Sequence, residues 1–352
     1  MPDPVVLLER MLAIPSLSGQ EDALAAYLVQ AMEGLGFRAR VDEAGNAVGE
    51  RGEGPIEVVL LGHMDTVPGH IPVRREGVRL YGRGAVDAKG PLANFILAAA
   101  AVGLPPGVKL VVVGAVEEEA ATSAGARHVL DRYRPAAVII GEPSGGDRIT
   151  VGYKGRLLID YHVSLGAAHS ARDEETACER AINYWLWAKG FAEAYGAAET
   201  RRFDRVDCAL RSMASGSDGL VEWATMGIAL RLPLGFPADA FQEAARAAAG
   251  TAEVAFRGYE AAYRADKNNP LVRALLAAIR AQGGQPRFTV KTGTSDMNVV
   301  GPAWQCPIVA YGPGDSDLDH TPDEHIELDE YRRTITVLTE ALRHLVADLA
   351  PR

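Results

Sequence analysis

The sequence predicts an α/β catalytic domain assembled from both ends of the chain, with a ferredoxin-like α+β domain inserted between them. Apolar runs over 56–142 alternate between strand and helix with little polar interleaving, as strands covered on both faces of a partly parallel sheet require. Over 156–258 the order changes to β-α-β-β-α-β, the split pattern of ferredoxin-like domains. At 352 residues, 48% of them hydrophobic, the chain exceeds the size at which one core stops growing, so two domains are expected.

Residues 3–36 read as two helices, the second opened by Ser18 with Glu21 in capping-box spacing and stopped by Gly34 and Gly36. Strands follow at 56–61, 109–116 and 136–140, with helices at 91–102 and 122–133 between them. After Gly152-Tyr153-Lys154-Gly155 the inserted pattern begins, with a strand at 156–164, a helix at 174–195 and strands at 205–213 and 219–232. A helix at 237–248 and a strand at 251–258 complete it. Asn268-Asn269-Pro270 opens the next helix, with asparagine as cap and proline at the first helical position. Strand and Gly-rich signals then resume, and Ile335, Leu338, Leu342 and Leu345 mark one face of the closing helix. The expected domains are thus 1–155 with 265–352, and 156–264, joined by two chain crossings that permit hinge motion.

A formal net charge of −10 argues against nucleic acid as a partner, because phosphate neutralisation needs a basic surface. Cys178, Cys208 and Cys306 are odd in number and far apart, as in a reducing compartment where thiols serve as small apolar residues. Asp3 and Glu9 stand where a secretory signal would carry basic residues, and no apolar run approaches the ~20 residues of a membrane span. A cytoplasmic protein with no membrane partner is the expectation.

Metal-ligand residue types recur where strands end. Gly62-His63-Met64-Asp65 follows the run Val58 to Leu61, and Asp87 lies in the Gly-rich segment 82–90. Glu117, Glu118 and Glu119 follow 109–116, Glu142 follows 136–140, and His320 sits in the acidic turn 319–324. The carboxyl ends of the strands are where an α/β sheet opens its crevice. A catalytic zinc takes about three protein ligands plus water, so His63, Asp87, Glu119, Glu142 and His320 together suggest two metal ions. His63 and Asp65, two apart on an extended strand, share a face, so one can ligate while the other orients the imidazole. Asp87 has two oxygens with which to bridge two cations; its simpler role would be to cap the following helix. Three adjacent carboxylates repel one another unless cations intervene, and one can then ligate while a neighbour acts as general base. The simpler role for that run is an acidic helix start. His70, His128, His162, His325 and His344 lack such a setting and read as surface or packing histidines, whereas His169, in the inserted domain, could stabilise a developing oxyanion, its simpler and stronger role being that of a polar residue before a helix. The set points to a two-metal amide hydrolase.

At these residues the chain resembles the M20 family of two-zinc peptidases and deacylases. Gly-His-Met-Asp-Thr-Val-Pro at 62–68, Gly-Arg-Gly-x-x-Asp-x-Lys-Gly at 82–90, the Glu run, Gly-Glu-Pro-Ser at 141–144 and the His320 turn occur in that family's order. The resemblance implies one metal held by His63, Asp87 and Glu142 and another by Asp87, Glu119 and His320, with Asp65 as the orienting partner of His63. It implies Glu118 as base; the third glutamate leaves a one-residue shift open, with Glu117 as base and Glu118 as ligand. It also implies two divalent ions, zinc or else cobalt, and a homodimer whose inserted domain serves as dimerisation domain and lid, with His169 reaching the neighbouring subunit's site.

Gly-Tyr-Lys-Gly-Arg-Leu at 152–157 and Lys-Thr-Gly-Thr-Ser-Asp-Met-Asn at 291–298 are similar to the branch that releases lysine or ornithine from the terminal glutamate of an amino-group carrier protein, in the aminoadipate route of lysine synthesis. Thr294, Ser295, Asp296 and Asn298 are the expected contacts of the released amino acid, and Arg156 or Arg231 those of a carboxylate. The rival expectations are an N-acetyl-lysine or N-acetylornithine deacetylase, and a metal- or peptide-binding homologue without turnover.

Overall fold

The computed structural model describes residues 3–167, 169 and 173–350. The chain divides into two compact units: Met1–Gly152 with Ala265–Val290 and Ser295–Arg352, and Tyr153–Arg264 with Lys291–Thr294. Residues 153–155, expected at the edge of the larger domain, belong to the smaller unit, and so does the short segment 291–294. Hydrogen bonds explain the transfer: Lys154 N donates to Lys291 O (3.2 Å), and Thr294 Oγ1 to Lys154 O (3.3 Å).

In the larger unit the strands run in the spatial order Arg38–Val41, Ala47–Gly52, Val108–Ala115, Ile56–His63, Ala137–Gly141, Ile308–Ala310, Arg148–Tyr153. Ile56–His63 is parallel to both of its neighbours, with His63 opposite Ala115 and Gly62 opposite Gly141. Their apolar runs are buried throughout the middle of the sheet, as both-face coverage predicts. Lys89–Ala101, buried almost all round, covers one face together with Pro270–Ala281 and Leu328–Leu349. Pro270–Ala281 begins as expected, with Asn269 Oδ1 accepting from Val272 N at 2.9 Å. A small separate sheet pairs His325–Glu327 with Arg79–Tyr81 and the latter with Arg74–Glu76.

The smaller unit has the order β-α-β-β-α-β: Gly155–Gly166, Ala177–Tyr195, Asp207–Ser217, Val221–Leu232, Ala238–Ala249, Glu253–Glu260. Its four strands are antiparallel in the spatial order second, third, first, fourth, the ferredoxin-like arrangement. Alternation in Gly155–Gly166 and Val221–Leu232 buries one face, and Tyr161, Tyr184, Phe236 and Phe241 anchor that core. No helix among the described residues is long and apolar enough to cross a membrane.

Two local expectations fail. Ser18 does not cap the second helix, which spans Asp22–Gly34 with Glu21 at the cap position and no side-chain cap bond. Both side chains are drawn away to the carboxyl ends of the central strands. The segment expected as a helix over 122–133 is helical only across Ala124–Val129, because Glu117–Ser123 forms the loop that the next section describes.

Candidate metal centre

Three adjacent parallel strands deliver three of the expected ligands side by side. His63 is the last residue of Ile56–His63, the Glu run follows Val108–Ala115, and Glu142 follows Ala137–Gly141. Since parallel strands end at the same edge of the sheet, residues far apart in sequence are gathered there without any special loop. Asp87 reaches the same place from the loop before Lys89–Ala101, and His320 from the turn after the short helical turn Ser316–Leu318. Asp87 does not cap that helix; Ala88 occupies the cap position.

The carboxylate of Asp87 faces two imidazoles, one with each oxygen. His63 Nε2 lies 3.1 Å from Oδ1 and His320 Nε2 lies 3.0 Å from Oδ2, while His320 Nε2 is also 2.8 Å from Glu119 Oε1. Two groups of ligand atoms follow, His63 with Asp87 and Glu142, and Asp87 with Glu119 and His320, each with its atoms within 4.8 Å of one another. Glu118 comes equally close to His63 and Glu119. His63 and Glu142 are buried, whereas the His320 side chain is 47% exposed, so the centre opens to solvent on the His320 side.

The backbone of the Glu run is held by a row of acceptors. Val116 N donates to Asn46 Oδ1 (3.0 Å), Glu117 N to Glu21 Oε1 (3.1 Å), Glu118 N to Asp65 Oδ1 (3.1 Å) and Glu119 N to Asp65 Oδ2 (3.0 Å). Asp65, fully buried, also accepts from Ser18 Oγ (2.7 Å), and its Oδ1 lies 3.3 Å from His63 Nδ1. One carboxylate therefore orients the imidazole and fixes two neighbouring peptides. Glu117 adopts the left-handed region at φ 58°, a strained state for a non-glycine residue, and its Oε2 accepts from Thr122 Oγ1 at 2.5 Å. That kink separates Glu117 from the other two glutamates, and it belongs to neither ligand group.

Electrostatics follow from this crowding. Loss of water pushes the Glu118 carboxyl well up; His63 opposes that, and Glu142, Asp296 and Glu119 add to it. Loss of water and the repulsion of Asp87 raise Glu119, against His320 and His63. Burial works to raise Asp87, yet His320 and His63 outweigh it and hold its carboxyl far below the usual range. Hydrogen bonds to Asp87 and Glu119 bring His320 up to about 10. Burial would lower His63, but Asp65 and Asp87 raise it well above the ordinary imidazole value. Carboxylates compressed against imidazoles in this way are a donor set that divalent cations would satisfy, and the shared two-oxygen carboxylate suits a pair of them.

The residues expected to meet substrate fall in both units. Ser295 and Asn298 form a capping box at the start of Asp296–Trp304, with Ser295 N donating to Asn298 Oδ1 at 3.0 Å. Asp296 is buried, close enough to Glu118 to repel its charge. In the smaller unit, Arg231 Nη1 donates to Thr294 Oγ1 (2.6 Å) and Arg156 Nε to Gly258 O (3.0 Å). His169 is exposed there and lines a cavity of about 590 Å³ with Glu174, Glu175, Thr176, Arg180 and Glu222; its neighbours 168 and 170–172 lie outside the described residues. Nothing in the sequence marks Asn46, and the spacing of Ser18 and Glu21 reads as a helix cap. The Ser18-x-x-Glu21 spacing was a usable signal, but only the fold reveals that its side chains point to Asp65 and Glu117.

Residues 59–344 match the model of peptidase family M20/M25/M40. A [LysW]-lysine hydrolase of Deinococcus radiodurans is 51% identical over 97% of this chain and 96% of its own length. A [LysW]-lysine/[LysW]-ornithine hydrolase of Saccharolobus islandicus is 33% identical over 79% of this chain and 78% of its own. Among solved structures, an M20 family metallo-carboxypeptidase of Sulfolobus solfataricus superposes with a TM-score of 0.78 at 20% identity, covering 99% of this chain and 100% of the other. A dinuclear metal-binding M20 peptidase of Bacillus subtilis gives 0.70 at 15% identity, covering 98% and 97%. The chain belongs to peptidase family M20/M25/M40, a family of amide-bond hydrolases.

Proposed function

We propose that this protein is a cytoplasmic metal-dependent hydrolase that cleaves the amide joining lysine, and also ornithine, to the terminal glutamate of an amino-group carrier protein. The observation that carries the hydrolytic part is the sharing of Asp87 between two groups of ligand atoms with Glu118 alongside. The substrate part is supported by the names of the relatives at 51% and 33% identity.

We assign His63, Asp87 and Glu142 to one metal and Asp87, Glu119 and His320 to the other. Zinc is the favoured ion and cobalt the second choice, since imidazole and carboxylate suit both. A pair of divalent cations supplies Lewis acidity to the amide carbonyl and its developing negative charge. Glu118 takes a proton from the attacking water and returns it to the leaving nitrogen as the C–N bond breaks. Its carboxyl lies within reach of His63 and Glu119, beside both ligand groups, where that transfer would take place. Asp65 keeps His63 in orientation and fixes the peptides of Glu118 and Glu119. We assign the smaller unit the role of dimerisation and lid domain in a homodimer, with Arg231, Thr294 and His169 as its contributions to substrate, and Asp296 as that of the larger unit.

The test offers the purified enzyme four substrates: carrier-linked lysine, carrier-linked ornithine, N-acetyl-lysine and N-acetylornithine. A higher kcat/KM on the carrier-linked pair, abolished by chelator and restored by zinc, is expected. Preference for the acetylated pair would replace the carrier reading with the deacetylase one, and inactivity on all four in a metal-loaded enzyme would overturn both.

A further inference from the structure

Glu324 is fully buried and lies four residues after His320, at the end of the same turn. Its Oε1 accepts from the backbone N–H groups of Val86 (2.9 Å) and Asp87 (3.1 Å), and its Oε2 from Arg83 Nη1 (2.7 Å). Arg83 Nη1 also donates to Thr321 O (3.3 Å), and its Nε to Gly69 O (3.1 Å). The charge of a buried carboxylate must be balanced, and Arg83, itself only 14% exposed, does so while gripping the residue after His320. The adjoining strands tie the same two segments together, Gly82 N donating to Glu324 O and His325–Glu327 pairing with Arg79–Tyr81.

We propose that the Glu324–Arg83 pair is a positioning device for the metal centre, locking the loop of Asp87 to the turn of His320. The two ligand groups depend on it unequally. His63 ends a central strand and Glu142 follows one, and the sheet fixes both. His320 stands on a turn, at φ 61°, a conformation a non-glycine residue keeps only when its surroundings enforce it. Asp87 is common to both groups, so both metals feel the loss, but the one held by Asp87, Glu119 and His320 has two ligands on the locked segments and loses more affinity when the pair is broken.

This rests on the two-metal reading and has its own test. Wild type, Glu324→Gln and Arg83→Met are loaded with zinc and dialysed against graded chelator, metal per chain is measured by elemental analysis, and each metal-free protein is melted. Glu324→Gln keeps the shape of the side chain but sets an amide against the guanidinium; Arg83→Met leaves the carboxylate uncompensated. In both, one of the two metals should be lost at about 10–100-fold lower chelator strength, as expected for groups that orient ligands, and the other, which shares Asp87, should weaken by less. Arg83→Lys, which keeps the charge, should recover part of the loss. Retention of both metals at wild-type strength would overturn the proposal, and so would equal weakening of both, whether or not the metal-free melting temperature falls. A wild type that fails to hold two metals would instead overturn the two-metal reading itself.

Discussion

Replacing Glu118 by glutamine, with the same change at Glu117 beside it, separates two roles that three adjacent glutamates leave entangled. Glu118→Gln keeps the volume of the side chain and removes its capacity to accept a proton. Removal of a positioned general base costs about 10²- to 10⁴-fold in rate, which at about 1.4 kcal/mol per tenfold is about 3–5 kcal/mol of barrier. The structure places the loss in the upper part of that range. Glu118 lies in a group with His63 and Glu119, and loss of water raises its carboxyl, so bulk solvent is a poor substitute. Glu117 is turned aside by its left-handed backbone and bonded to Thr122, so Glu117→Gln should change kcat by no more than about twofold, as for a surface substitution. The assay is steady-state release of lysine from the carrier-linked substrate, with metal content measured on each variant. A fully metal-loaded Glu118→Gln enzyme within a few-fold of wild type would refute the assignment, and so would a Glu117→Gln enzyme that falls as far.

Asp65→Asn leaves one acceptor oxygen for the two N–H groups of Glu118 and Glu119, so it should destabilise the metal-free protein by about 1–3 kcal/mol; an unchanged denaturation midpoint would contradict this. Burial works to raise Asp147, but the N–H of Gln285 and the Arg333 guanidinium at 2.7 Å outweigh it and hold the carboxyl low. Its stabilising contribution is thus complete above the unfolded carboxyl value of about 3.9 and fades as pH falls through the lower folded value. Asp147→Asn should therefore unfold more easily than wild type at neutral pH and converge with it in strong acid, and a gap in melting temperature that persists unchanged on acidification would contradict the assignment.

Much of this protein is legible along its sequence. The apolar runs at 56–61, 109–116 and 136–140 become strands with boundaries within two residues of the expected ones, because both-face burial leaves few alternatives to a parallel sheet. The ligand-type residues at their ends are visible as a set for the same reason, since parallel strands send every carboxyl end to one edge. The alternation that switches register after 155 likewise announces the ferredoxin-like unit. What the sequence leaves open is decided by contacts between distant segments. Which glutamate faces the ligands depends on the peptides of 117–119, and these are set by Glu21 and Asp65, residues 96, 53 and 54 positions away. Ser18 and Glu21 have the spacing of a helix cap, yet a buried Asp65 and the N–H of Glu117, which would otherwise lack an acceptor, are stronger partners than a helix end open to water. Glu324, with partners 237 and 238 positions back, looks from the sequence like any acidic turn residue. Local pattern determines strands and the candidate ligand residues at their ends because burial and hydrogen bonding act residue by residue; the direction of each carboxylate is settled only when the packed chain gives it a donor.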